Sequence, residues 1–277
     1  MNMERYVIGT GWWCTNQDHD GATRLQTYGD DQIRSECFNE KWYQSISDNT
    51  NPQQIIIVDS ASPIPPPIID IDSRIQYLRL NENGGHATNL KGKYCGWTRS
   101  VIVGLSYTLC CDADYFVYVE QDVLLSGRGI IEKCIETMKT NYMFGETSSI
   151  QQPLQQSFFV IKRQGIERFL SRLYRINRSD YEFSPEEKFV ICSGSMLSPL
   201  CAFPPRGRNI MRKRCRVLIR RCIQLLSKLS FGHFFLGFDL CPFGCGRERP
   251  IDFRSEYYYF QHGTESELLE YEKNHKY

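Results

Sequence analysis

No stretch of the chain supplies the ~20 consecutive apolar residues that a membrane-crossing helix requires. The opening residues, MNMERYVIGTGWW, lack the basic start and long apolar core of a secretory signal. The expectation is therefore a cytoplasmic protein. Net charge is nearly absent, at +1 over 277 residues, so no overall field recruits nucleic acid. No aromatic-basic signature of an RNA-binding module occurs either, and no nucleic-acid partner is expected. There are 12 cysteines but no CxxC pair of the zinc-ribbon kind. Cys37, Cys134 and Cys192 lie in apolar surroundings, where a thiol acts as a small hydrophobe. Reduced thiols are expected, with disulfides as the alternative. Phosphate-binding glycine signatures, Walker A or GxGxxG, are also missing. Acidic residues vanish altogether between Lys188 and Phe238.

What is present reads as alternating strand and helix. Strand patterns occupy 5–10, 53–59, 74–80 and 115–119, and helical periodicities fill 30–46 and 95–111. This order implies βαβ units: an α/β fold, one domain, with a mainly parallel central sheet flanked by helices and a Rossmann-like N-terminal half. Ligands of such sheets bind beyond the carboxyl ends of the strands. There the sequence places Thr10, Asp59 and the run YFVYVEQDVLLSG (115–127). In a continuing strand Glu120 and Asp122 project to one side and Gln121 to the other. Two carboxylates held close each resist ionisation unless a positive group lies between them, and a divalent cation suits that place. The alternative is an ordinary strand end turning into solvent.

Further candidates come from the connections. NENGGHATNLKGKYCGWTR (81–99) leads from a strand into a helix whose N-terminus favours anions. SPEEKFV (184–190) reads as a helix start, with Ser184 as cap, Pro185 first and Glu186 and Glu187 on the positive end of the dipole. Capping alone would explain both glutamates. The segment 206–238 carries nine Lys or Arg among apolar residues. It is expected to form a basic amphipathic helix over 206–228, with peripheral membrane contact, an anionic ligand or plain solvation as its uses. EYYYFQH forms a last strand reaching His262, ahead of a capped acidic helix.

Together these features resemble the GT-A class of nucleotide-sugar-dependent glycosyltransferases. EQD (120–122) stands where that class carries DxD, with Glu in place of the first Asp, and His262 stands where a late histidine completes the metal shell. The tail GFDLCPFGCGRERPIDF…YYYFQH is similar to the small glycosyltransferases of large DNA viruses, the chlorovirus type, xylosyltransferase-like members included. The resemblance implies Mn²⁺ or Mg²⁺ on Glu120, Asp122 and His262. It implies a nucleotide-sugar donor, a UDP-sugar such as UDP-xylose, and a glycan acceptor. The protein would then be viral, in host cytoplasm. Residues 1–125 would form the nucleotide-sugar half and 126–277 the acceptor half. Glu186, Glu187 or Asp239 would be the base if the anomeric centre inverts. Thr10, Asp59, His86, Asn89, Arg99 and Gln121 would contact the nucleotide or diphosphate, joined by Glu120 and Asp122 through the metal. Arg247 and Arg249 would clamp phosphate or sugar hydroxyls.

Two alternatives stand beside this. A sugar nucleotidyltransferase shares strand-end carboxylates, but GTGWWCTNQDHDG after the first strand has no Lys or Arg where those enzymes carry a basic Gly-rich signature. A non-catalytic membrane-docking or glycan-binding protein would keep the basic helix and need no metal.

Overall fold

The computed structural model describes residues 4–15, 29, 31–90, 92–146, 153–202 and 209–275. The N-terminal half runs β1 (Tyr6–Trp12), α1 (Glu36–Asn49), β2 (Gln54–Asp59), β3 (Ile75–Arg79), α2 (Gly96–Cys110), β4 (Tyr115–Val119). Then come β5 (Val123–Ser126), α3 (Ile130–Thr137), β6 (Tyr142–Gly145), β7 (Gln155–Lys162), α4 (Arg163–Arg175), α5 (Pro185–Ser193) and α6 (Ser198–Ala202). The chain closes with α7 (Asn209–Ser227), α8 (Gly232–Leu236), β8 (Asp239–Leu240), β9 (Cys245–Gly246), β10 (Tyr258–Gln261) and α9 (Glu265–Asn274).

The main sheet has seven strands in the order β3-β2-β1-β4-β7-β6-β8. β3, β2, β1 and β4 are parallel; β7 runs against both β4 and β6, and β8 is parallel to β6. It is a Rossmann-like α/β architecture. β1, β2 and β4 are apolar without alternation because helices cover both faces. Adjacent residues accordingly enter opposite cores. Val7, Ile56 and Phe116 pack with Val101 and Leu105 of α2 and Phe189 of α5. Ile8, Ile55 and Val117 pack with Trp42 and Ile46 of α1. Phe189 lies against Trp97, Phe144, Phe159 and Phe169, with ring centroids 4.8–5.8 Å apart. Its burial, worth about 1.5–3 kcal/mol, holds α5 on the sheet.

Two expectations shift here. β1 runs on to Trp12, so Thr10 is an interior strand residue, buried to 1% exposure, and not a strand end. Val119 ends β4, and Glu120–Gln121–Asp122 is a turn closed by the Val123 N–H on the Glu120 carbonyl at 3.0 Å. The chain leaves the main sheet at that turn. β5 joins a small second sheet, order β5-β10-β9, which the sequence pattern did not reveal. Among the described residues, eleven cysteines are free thiols and no helix is long and apolar enough to cross a membrane.

Candidate functional site

Strand order places a switch point between β1 and β4, since β2 and β3 extend the sheet to one side of β1 and β4 lies on the other. Ligands of open α/β sheets bind at such a crevice. Gln121 bridges the chain segments that follow these two strands. The Trp13 N–H donates to Gln121 Oε1 at 2.8 Å, and Gln121 Nε2 donates back to the Trp13 carbonyl at 3.2 Å. Gln121, expected against the nucleotide, thus ties the end of β1 to the turn after β4.

With Gln121 turned that way, Glu120 and Asp122 come together on the other side. The small sheet brings them their partner. Antiparallel pairing of β5 and β10 sets Gln261 opposite Val123, and parallel pairing with β9 sets Phe260 beside Gly246. Segments 120–122, 246–247 and 261–262, far apart in sequence, therefore meet. Gln261 Nε2 donates to Glu120 Oε2 at 2.8 Å and to Asp122 Oδ1 at 2.9 Å. Arg247 Nε donates to Gln261 Oε1 at 2.8 Å, which fixes the amide's orientation because guanidinium only donates. His262 Nε2 lies 3.3 Å from the other oxygen of Asp122.

Close packing pins this arrangement. Gly246 sits at φ +55, and a Cβ there would lie 2.1 Å from Gln155 Oε1, which accepts the Arg247 N–H at 2.7 Å. Gly29, at φ +69, rests so near the His262 backbone that a Cβ would come within 2.7 Å. His262 itself holds φ 58, uncommon for a residue other than glycine.

Electrostatically the cluster is overloaded with negative charge. Burial, then the Asp122 carboxylate, push the Glu120 pKa from 4.5 up to about 8. The Arg247 charge and the Gln261 hydrogen bond pull it down, and the Glu186 charge raises it further. Glu186, at the start of α5 and only 9% exposed, is therefore part of the same electrostatic site. Glu187 is not available in the same way: its carboxylate accepts from Ser184 N–H at 3.1 Å and Ser184 Oγ–H at 3.0 Å, a capping box.

The other expected site residues bond within the protein. Asp239 accepts from Lys139 N–H, Thr140 N–H and Thr140 Oγ1–H at 2.7–2.9 Å, ordering the turn that enters β6. That turn is at the start of β6, which runs parallel to β4, so Asp239 serves the opposite end of the sheet from Glu120. Asp59 is fully buried and accepts from Ser62 N–H at 2.7 Å and Tyr77 O–H at 2.6 Å, fixing the bend after β2. Arg249 bonds the Gln261 carbonyl at 2.9 Å and Glu267 at 3.1 Å, so it locks the end of β10 to α9. His86 donates its N–H to Asn89 Oδ1 at 2.9 Å, within their own loop. Arg99 donates to the Tyr94 carbonyl at 3.0 Å and lines a shallow cavity of about 530 Å³ with Leu80, Tyr94, Ile102 and Tyr174.

The helix start after 81–99, which favours an anion, meets one of the protein's own. Asp180 accepts the Cys95 N–H at 2.7 Å at the head of α2 and the Lys188 ammonium at 2.7 Å, and both charged side chains are fully buried. This pair bolts α5, and with it Glu186, to the head of α2.

No family model matches the sequence, and no curated protein does. In solved structures the chain is similar to HddC from Yersinia pseudotuberculosis, at 11% identity, 99% coverage of both chains and a TM-score of 0.44. The same protein complexed with GMP-PN gives 12% identity, 98% and 99% coverage and 0.41. A putative glucose-1-phosphate thymidylyltransferase from Bacillus anthracis in complex with a sucrose gives 10% identity, 86% and 100% coverage and 0.40. Likeness at this level carries nothing about chemistry, which rests on the site's own geometry.

As to a metal, among the described residues no three His, Cys, Asp or Glu side chains stand arranged around one point. The donor set is nevertheless of the right chemistry. Two carboxylates converge on the N–H groups of one amide, and an imidazole stands on the second Asp122 oxygen; carboxylate oxygen and imidazole nitrogen are donor types that Mn²⁺ and Mg²⁺ accept. Sequence reading missed Gln261, whose signal is a polar residue closing an otherwise aromatic strand, and missed the Asp180–Lys188 pair, which has no local signature.

Proposed function

We propose that the protein is a metal-dependent glycosyltransferase that moves a sugar from a nucleotide-sugar to a glycan hydroxyl with inversion, a UDP-sugar such as UDP-xylose being the donor. The observation that carries this reading is the convergence of Glu120 and Asp122 on Gln261 at the switch point, with Glu186 close enough to add its charge. Mn²⁺ or Mg²⁺ held by Glu120, Asp122 and His262 would supply Lewis-acid stabilisation of the diphosphate leaving group.

The chain's own residues do the rest. Gln121 keeps the ends of β1 and β4 at fixed separation, so the crevice is preorganised. Arg247 sets a permanent positive charge beside the carboxylates and orients Gln261. Glu186 takes the proton of the attacking acceptor hydroxyl. Its place at the start of α5 aims the carboxylate toward the site, where it acts as the general base. Glu187 maintains the helix start that aims it.

The test is thermal stabilisation of the purified protein by a panel of nucleotides and nucleotide-sugars, with and without Mn²⁺. A ligand that binds only the folded state raises Tm. The reading expects a shift with UDP or a UDP-sugar that needs Mn²⁺ and vanishes in Asp122→Asn. If no nucleotide shifts Tm with metal present, the reading is wrong.

A further inference from the structure

The surface made by α7 and α8 contains none of the carboxylate-site residues. Ile219 and Ile223 are buried to 1% exposure and join the core, which fixes how α7 is rotated. Its opposite face then carries Arg214, Leu218, Arg221, Leu225 and Lys228, all exposed. Spacings of four, three, four and three residues put these on one stripe, cation alternating with leucine. Leu229 and Phe231, between α7 and α8, and Phe234 of α8 are exposed as well, Phe234 to 75%. Of twelve exposed large hydrophobic side chains among the described residues, six lie between 218 and 235. A seventh, Met196, is beside them, its N–H donating to the Phe235 carbonyl at 2.9 Å. Apolar exposure this concentrated marks an interaction surface.

We infer that this face docks on the surface of an anionic lipid bilayer. Charge selects the occupant. The sequence has no acidic residue from Lys188 to Phe238, so nothing in the segment opposes a negatively charged sheet. Cations beside exposed leucines and phenylalanines match the two layers of a bilayer interface, with rings entering below the headgroups and Arg and Lys meeting phosphate. The helix lies on the membrane, for no helix among the described residues is long and apolar enough to cross it. This inference does not depend on the glycosyl-transfer reading, because it uses none of the site residues.

The experiment is cosedimentation of the full chain with vesicles of phosphatidylcholine alone and of phosphatidylcholine mixed with phosphatidylserine, across a salt series. Binding to the mixed vesicles only, weakened by salt, is expected. The triple variant Arg214→Glu/Arg221→Glu/Lys228→Glu should lose about 100-fold or more in affinity, at ~5-fold per cation. The variant Phe231→Ser/Phe234→Ser should bind more weakly at every salt concentration. All five positions are exposed, so near-ultraviolet circular dichroism should match the parent. If the charge variant does not fold, the salt series and the phenylalanine variant decide. Absence of binding to anionic vesicles at low salt overturns the proposal. So does equal binding to neutral vesicles. A concentration-dependent mass in light scattering that the phenylalanine variant abolishes, without vesicle binding, would instead assign the face to a second copy of the chain.

Discussion

Glu120 offers the sharpest test of the site, because its carboxyl is displaced so far. Its pKa moves from 4.5 to about 8, chiefly by burial and then by the Asp122 charge. At 1.36 kcal/mol per factor of ten in proton affinity, that is a penalty of about 5 kcal/mol on the ionised folded form. The direction follows from proton linkage. Below pH 4.5 the group is protonated in both states and costs nothing. From there to about 8 the unfolded chain has released its proton while the folded protein retains it, so stability falls as pH rises. Above about 8 the full penalty applies. Glu120→Gln replaces the protonated carboxyl by a neutral group of the same shape. In metal-free protein it should be near neutral at pH 4.5 and increasingly stabilising towards pH 8, by several kcal/mol. Urea denaturation in EDTA at successive pH values measures this. Adding Mn²⁺ at pH 8 should then stabilise the parent and not the variant. A variant whose effect is flat with pH, or that grows more destabilising as pH rises, would refute the account of two carboxylates crowded on one amide.

Other expectations follow from the same geometry. Glu186→Gln should lower kcat by about 10²–10⁴ with Tm little changed, as for a lost general base, whereas Glu187→Ala should cost ~1 kcal/mol of stability through the lost cap and leave kcat largely intact; the reverse pattern in kinetics and melting would exchange their roles. Lys188→Met leaves Asp180 buried without its cation and should destabilise by about 3–5 kcal/mol in urea denaturation; a cost below ~1 kcal/mol, the level of an exposed pair, would mean that solvent reaches the pair. Gly246→Ala forces a Cβ to 2.1 Å from Gln155 Oε1 at φ 55, so it should lower Tm, and its KM for donor should rise as Arg247 is displaced; an unchanged Tm would show that Gln155 simply moves aside.

Much of the fold was legible because its causes are local. Short β-branched and aromatic runs such as IIIV and YFVYV read as strands covered on both faces, and helical periods between them read as crossovers. The starts of α5 and α9 were readable because a capping box is four residues long. The carboxylates were singled out from the same stretch of sequence, and their meeting was foreseen, though through a turn and not a strand.

The rest was settled by contacts between distant segments. Asp59, Asp239, Arg249 and Glu187 are of the same residue types as the site groups, and each occupies a plausible strand end or loop. What separates them is which backbone N–H or guanidinium lies within 3 Å, and that depends on sheet order. The small sheet had to form before Gln261 could sit between Glu120 and Asp122, and its register joins residues some 140 positions apart. Likewise a helix N-terminus attracts an anion whatever its source, and only the folded chain shows that Asp180 occupies the head of α2. Sequence determined which segments become strands and helices, because propensity and periodicity act over a few residues. Tertiary structure decided which charges face each other, because Coulomb and hydrogen-bond energies depend on distance in space and not on distance along the chain.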